Sequence, residues 1–362
     1  MEYSILDEDA VWDIAGQRRS RQTFTKAYNS MKGSAGMSRI GISLGDPAGI
    51  GYEITAKALL TARVPLDKVI LIGNKDAFFK TIDRYNLDKA HLEKAEFHDV
   101  DFDGFDFDAM KFGVAQRPAG VIAVKTVESA VKLAMKGEIS GLCTAPIHRD
   151  ALTLAGSSFI ETSAMIIALT ASTNVTTVYE LQKLRTLFLS RHVSLADALK
   201  KVTRQNIMEY IKHCDNTLRL LGSTSRKIAV AALNPHGGDG GLTGDTEEAV
   251  IKPAIEEAGR NIQVFGPVPA DVVYLEAIKG IYDIVLSLYH DQAHIALKAL
   301  DFYRTIDMNI GLPFLRVSVD HGPGYDRAGK GTGIETNMIV AIQRTLDSSE
   351  TYRKVWAEIQ SR

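Results

Sequence analysis

The feature that most constrains this chain is an alternation between two kinds of segment. From Met37 onward, short apolar runs rich in β-branched residues are separated by longer stretches with helical spacing. "RIGISL" (39–44), "KVILIG" (68–73), "GLCTAP" (141–146), "TTVYEL" (176–181), "RTLFLS" (185–190), "KIAVAAL" (227–233) and "YDIVLSLY" (282–289) read as buried strands. "YEITAKALLTA", "SAVKLAMKG" and "DTEEAVIKPAIEEAG" read as helices. Such alternation predicts an α/β fold with a substantially parallel sheet. In sheets of that kind, working residues gather in the loops that leave the strand carboxyl ends. Four loops hold that position: "GDPAGIG" (45–51), "TAPIHR" (144–149), "NPHGGDGG" (234–241) and "YHDQ" (289–292). Any one of them is read as readily as a plain turn. Four together point to an active site.

Composition narrows the function classes. With 362 residues, 45% of them hydrophobic, the chain suffices for one large or two ordinary domains with real cores. A net charge of -2 leaves no electrostatic footprint for nucleic acid or an anionic membrane. No apolar run approaches the roughly 18 residues that span a bilayer. Cys143 and Cys214 lie far apart in no metal-binding spacing, so a disulfide framework is not expected and a cytoplasmic setting is. Residues 1–36 mix charges without a clear period, end in "GSAG" and lack the apolar core of a secretory signal. They are expected to form a flexible extension outside the fold.

Three patterns carry chemistry. In "NPHGGDGGLTGDTEEAV", Gly237, Gly238, Gly240, Gly241 and Gly244 allow positive φ and close approach of backbone to a ligand. The stretch has neither the GKS/T ending of a Walker loop nor the GxGxxG fingerprint. His192, His236 and His290 each follow an apolar run, and three neutral imidazoles with open positions suit a divalent Lewis acid. Spacing alone leaves that triad open. In "HDQAHIALK" (290–298), His290 and His294 stand four apart with Asp291 after the first, as in helical paired-ligand zinc sites. A metallohydrolase is therefore one reading. Finally, "SVDHGPGYDRAGKGTGIETN" sets Asp320, His321, Gly322 and Asn337 among glycines, where they can hydrogen-bond a nucleotide.

Taken in order, "ISLGDPAGIGYEI", "TAPIHRDAL", "RHVSLADAL", "LNPHGGDGG", "GPVPAD", "YHDQ", "GLPFLRVSVDHG" and "AGKG" resemble the PdxA family of 4-hydroxythreonine-4-phosphate dehydrogenase and its relatives. The resemblance runs from about Met37 to the C-terminus. It implies a two-subdomain fold like isocitrate and isopropylmalate dehydrogenases, with a central cleft and no conventional Rossmann domain. The subdomains are expected at roughly 37–155 plus 315–362, and at 156–314. It implies NAD or NADP as cofactor and one divalent metal ion (Zn2+, Mg2+ or Mn2+) held by His192, His236 and His290. Those ligands come from both subunits of a homodimer in the family. Lys298, Asp271 and Asp291 are implied catalytic residues, and Lys298 and Arg316 substrate-binding ones. Gly237, Gly238, Asp320, His321, Gly322 and Asn337 are the candidates for the cofactor.

Departures from the family concern the substrate. Where members read GHTE this chain reads "ETSA", so Thr162 and Ser163 take substrate-binding positions. Asp307 stands where an asparagine is usual and would repel a phosphate unless paired. His294 occupies an apolar position. The expected activity is metal-dependent oxidation of a secondary alcohol of a hydroxy acid to a ketone, with decarboxylation. The substrate is expected to be 4-hydroxythreonine 4-phosphate, threonate or erythronate 4-phosphate, or an aromatic cis-dihydrodiol carboxylate. A non-catalytic binding relative is the opposing class. In this reading His290 ends a strand, and His294 has no assigned role.

Overall fold

The computed structural model describes residues 39–361. The extension expected at 1–36 lies outside the described residues. The described chain forms two compact α/β units.

The first unit runs to Asn174 and includes Leu312–Phe314 and His321–Glu350. Its strands are β1 (Ile40–Ser43), β2 (Val69–Gly73), β3 (Glu96–Asp99) and β4 (Gly141–Thr144), in the order β3-β2-β1-β4 and all parallel. Parallel neighbours need crossovers, which α1 (Gly51–Thr61), α2 (Lys75–Arg84) and α3 (Arg117–Lys136) supply. β1, β2 and β4 are buried along their whole length, as a sheet covered on both faces demands. α3 carries Pro in its first turn and stops at Gly137, whose φ of 76° closes the last turn. Gly120 lets α3 press on α4 (Arg149–Leu154): a Cβ there would come 1.9 Å from the Ala151 carbonyl oxygen. The unit also holds α5 (Thr162–Leu169).

The second unit comprises Val175–Gly311, Leu315–Asp320 and the chain from Thr351. Its strands are β5 (Thr176–Leu181), β6 (Leu184–Phe188), β7 (Ile228–Ala231), β8 (Val264–Val268), β9 (Ile284–Ser287), β10 (Ile306–Ile310) and β11 (Leu315–Val319). They lie in the order β11-β10-β5-β6-β9-β7-β8. β6, β9, β7 and β8 are parallel, whereas β11, β10, β5 and β6 are antiparallel neighbours. The expected parallel sheet therefore holds for the first unit and only half of the second. The reason is loop length: Gln182 and Lys183 alone join β5 to β6, and Gly311–Phe314 joins β10 to β11. Neither can make a crossover.

Helices α6 (Arg204–Leu220), α7 (Lys252–Ala258), α8 (Ala270–Ile278) and α9 (His290–Asp301) belong to this unit. Its core gathers Leu181, Leu184 and Phe188 with Val273 and Tyr274 of α8 and Ala293 and Leu297 of α9. Ala293 and Leu297 are four apart and bury one stripe of α9. The adjoining stripe, His290, His294 and Lys298, thus falls at the border between core and surface. The final helix, α10 (Thr336–Gln360), starts in the first unit and ends in the second. No helix among the described residues is long and apolar enough to cross a membrane.

Candidate active site

The stripe on α9 organises the site. β9 stops at Ser287, and His290 opens a helix instead of ending a strand. Gln292 makes the turn: its Oε1 accepts from the Leu288 N–H at 2.8 Å, and its Nε2 donates to the Ala232 carbonyl at 2.7 Å. His290 and His294 consequently do share a helix face, with ring centroids 4.3 Å apart. The His192 ring lies 5.9 Å from that of His290. His294 is absorbed by packing, stacked on Phe188 at 4.9 Å and edge-on to Tyr179 at 4.5 Å. Burial, with the nearby His290, Lys298, Arg191 and His192, pushes its imidazole down to about 4, so it is neutral at neutral pH.

One turn further on, the Lys298 ammonium contacts the Asp320 carboxylate and donates to the Asp320 carbonyl at 2.7 Å. Burial raises Asp320 to about 6 against the opposing pull of Lys298. Asp307 adds to the rise and His290 opposes it, so these groups sense one another. A carboxyl poised near neutrality beside a lysine is suited to proton transfer.

A polar face on β10 and β11 completes the cluster. Asn309 lies directly opposite Arg316, and Asp307 opposite Ser318. The buried Arg316 guanidinium donates to Asp307 Oδ2 at 2.7 Å and to Asn309 Oδ1 at 3.1 Å. The extra carboxylate of Asp307 is thereby paired within the chain. On the next strand, Tyr179 is the neighbour of Asp307, and its hydroxyl accepts from Arg191 at 3.3 Å. Arg191, Tyr179 and Asn309 were not picked out from the sequence. Asn309 had a signal: it alternates with Asp307 in the otherwise apolar "IDMNI".

The other candidates fall as follows. His236 is well exposed, and its Nδ1 lies 3.2 Å from Asp239 Oδ2. Gly237 and Gly238 belong to the same left-handed loop. His290 Nδ1 is 2.6 Å from the exposed Asp291. Asp271 is exposed in the first turn of α8. In the first unit, Thr162 and Ser163 open α5 behind Glu161, which pairs with Arg149 at 2.8 Å. His321 Nδ1 meets the Gly322 carbonyl at 2.8 Å, and Asn337 is buried near the start of α10. A Cβ at Gly322 would touch nothing within 4 Å, so its backbone is open to a close ligand. The Ile50 N–H donates to the Pro323 carbonyl at 2.9 Å and the Tyr325 hydroxyl to Asp46 at 2.6 Å, which fix that glycine-rich segment. It fits the backbone-lined contact a dinucleotide requires.

For a metal, no group of three His, Cys, Asp or Glu side chains placed to hold an ion occurs among the described residues. The donor chemistry nevertheless fits a divalent ion. His192 and His290 are neighbours, and His290 and His236 each have Nδ1 against a carboxylate, which orients Nε2 as a donor.

The pyridoxal phosphate biosynthetic protein PdxA family matches residues 59–345, a span that includes every residue of this cluster. The chain belongs to the PdxA family. A protein of Symbiobacterium thermophilum provisionally named D-threonate 4-phosphate dehydrogenase is 40% identical over 327 residues, covering 87% of this chain and 98% of the relative. The crystal structure of 4-hydroxythreonine-4-phosphate dehydrogenase from Klebsiella pneumoniae is 31% identical with a TM-score of 0.77, covering 86% of this chain and 99% of that one. A terephthalate 1,2-cis-dihydrodiol dehydrogenase from Burkholderia xenovorans, 23% identical with a TM-score of 0.57, shares the fold. This PdxA-family chain is an oxidoreductase acting on CH–OH groups, which removes the hydrolase reading of its paired histidines. The family's α/β fold is likewise the one expected.

Proposed function

We propose that this PdxA-family enzyme oxidises the secondary alcohol of a phosphorylated four-carbon hydroxy acid, of the threonate 4-phosphate or 4-hydroxythreonine 4-phosphate class. The observation that carries the reading is the contact between Lys298, on the same helix face as His290, and Asp320 at the end of β11, beside the Arg316–Asp307 pair. The names of the relatives support the substrate class. When bound, NAD or NADP supplies the hydride acceptor, and a divalent ion held by His192, His290 and His236 supplies Lewis acidity.

The chain's own groups do the rest. Asp320, ionised above about 6, takes the proton of the substrate hydroxyl, directly or through Lys298. Lys298 holds an anionic oxygen and keeps Asp320 from staying protonated at neutral pH. Arg316, already neutralised by Asp307, addresses a polar group in concert with Asn309 instead of as a free cation. Asp307 accepts hydrogen bonds only, so it favours a hydroxyl or ammonium over a phosphate at its position. Where the ketone formed lies β to a carboxylate, the product loses CO2.

We further propose a homodimer. Val272 and Leu275 of α8, together with Ile295 and Leu300 of α9 and the following Phe302 and Tyr303, are exposed large apolar side chains. Isolated exposed leucines are ordinary, but several on two helices that touch are suited to a second copy. The second copy's His236 would then complete the metal's donor set.

The decisive experiment is an initial-rate screen with NAD and NADP, each with added Zn2+, Mg2+ or Mn2+. Its substrates are D-threonate 4-phosphate, erythronate 4-phosphate, 4-hydroxythreonine 4-phosphate and an aromatic cis-dihydrodiol carboxylate. Reduction with a phosphorylated acid is expected, and turnover of the dihydrodiol alone would overturn the substrate class. Loss of CO2 is read in the same assay. On the best substrate, log kcat/KM is expected to rise with pH up to about 6 and then level, because only the ionised Asp320 accepts a proton. Asp320→Asn is expected to remove that limb, and an unchanged pH profile would take the base role from Asp320.

A further inference from the structure

The loop that carries His236 has an unusual backbone. His236, Gly237, Gly238, Asp239 and Gly240 all take positive φ, at 53°, 72°, 84°, 46° and 66°. Glycine adopts this region freely, but the left-handed form costs about 1–2 kcal/mol for each other L-residue. His236 and Asp239 therefore sit in a turn they would not choose unaided. Something outside the turn must define it.

The group that does so is Glu247, which is fully buried. Its Oε1 accepts the Leu233 N–H at 2.8 Å and the Asn234 N–H at 2.7 Å, while its Oε2 accepts the Asn234 side-chain amide at 2.8 Å. Asn234 in turn accepts the Gly237 N–H on its carbonyl at 3.2 Å, at the base of the turn. The turn is moulded to this carboxylate. A Cβ at Gly238 would lie 2.9 Å from the Gly244 carbonyl oxygen and 3.0 Å from Glu247 Oε2. One at Gly244 would lie 2.6 Å from the Asn234 amide nitrogen. Glu247 itself opens a single π-helical turn, Glu247–Ile251, ahead of α7. Single π-turns of this kind are frequent at functional sites.

We propose that Glu247 is a positioning residue for His236. It fixes Asn234, through Asn234 the left-handed turn, and through the turn the direction in which the His236 imidazole is presented to a divalent ion. The inference rests on the reading of His236 as a metal donor. It adds that the donor is aimed by a buried carboxylate lying eleven positions along the chain.

The test uses the metal-stripped full-length protein, with Co2+ and then Zn2+ alone as probes. Affinity is read by titration against a chelating dye and donor geometry by the visible Co2+ absorption. His236→Ala is the reference and is expected to weaken Co2+ binding and change its spectrum. Glu247→Ala is expected to weaken it by about 10–100-fold, the usual effect of removing a group that orients a ligand. Glu247→Gln is expected to stay within about threefold of the parent, because its amide oxygen still accepts both backbone N–H groups and its NH2 donates to Asn234 once that side-chain amide turns over. Gly238→Ala, which presses on the same carboxylate, is expected to weaken binding at least tenfold, in the same range. This variant carries the test if Glu247→Ala does not fold. Parental Co2+ affinity and spectrum in folded Glu247→Ala or Gly238→Ala, beside a weakened His236→Ala, would overturn the positioning role alone. So would a Gln variant as weak as the Ala one. Unchanged binding in His236→Ala would overturn the metal reading and this inference with it.

Discussion

Replacing Lys298 with methionine is expected to lower kcat/KM by about 10²–10⁴-fold, the usual range for losing a group that moves or stabilises a proton. Methionine keeps most of the apolar stem on α9, so the fold should survive. The missing charge has two effects. The substrate loses a cation, and the buried Asp320 loses the partner that opposes its protonation. The acidic limb of the pH profile should therefore move above about 6 as the rate falls, since burial and Asp307 then raise Asp320 with the main opposing charge gone. Initial rates from acid to neutral pH, with melting temperature as the control for folding, check both effects. A loss smaller than tenfold would assign Lys298 a role in packing alone.

Arg316→Met is expected to be the most destabilising single change at the site, by about 3–5 kcal/mol in urea unfolding. The value follows from what is left behind. Asp307 would keep its charge on a largely buried strand with its guanidinium partner gone, and Asn309 would lose a donor. Adding Asp307→Leu to Arg316→Met should recover all but about 1–2 kcal/mol, because a buried pair replaced as a whole leaves no orphaned charge. Activity should not return with it. A single variant within about 1 kcal/mol of the parent would mean that the pair is solvated enough to stand alone, contrary to its burial.

Much of the candidate site was legible because its parts are local. "YHDQ" and "NPHGGDGG" follow apolar runs, and both do sit at strand ends of one sheet. His290, His294 and Lys298 were visible at helical spacing, yet placing His290 at a strand end hid that all three share one face of α9. Gln292 explains the difference: it turns the chain within three residues of β9, a step no periodicity records. His294, without a role in the sequence, turns out to be an aromatic core residue between Phe188 and Tyr179. Asp307 was expected to repel an anion, and its answer lay on the neighbouring strand.

The sequence by itself determined the class of fold, the loops that leave the strand ends and the family. Each of these depends on short-range periodicity or on ordered motifs, and both are written along the chain. Only the tertiary structure decided which charges meet. Lys298 and Asp320 lie 22 residues apart, and Arg316 and Asp307 nine, on elements whose neighbours are chosen by sheet order. A four-residue connection folds β10 back against β11, and the sheet order sets β10 antiparallel to β5 on its other side. That pairing places Asp307 beside Tyr179 on one side and within reach of Arg316 on the other. Burial then sets the pKa of Asp320 and of His294, and burial is a property of the packed molecule.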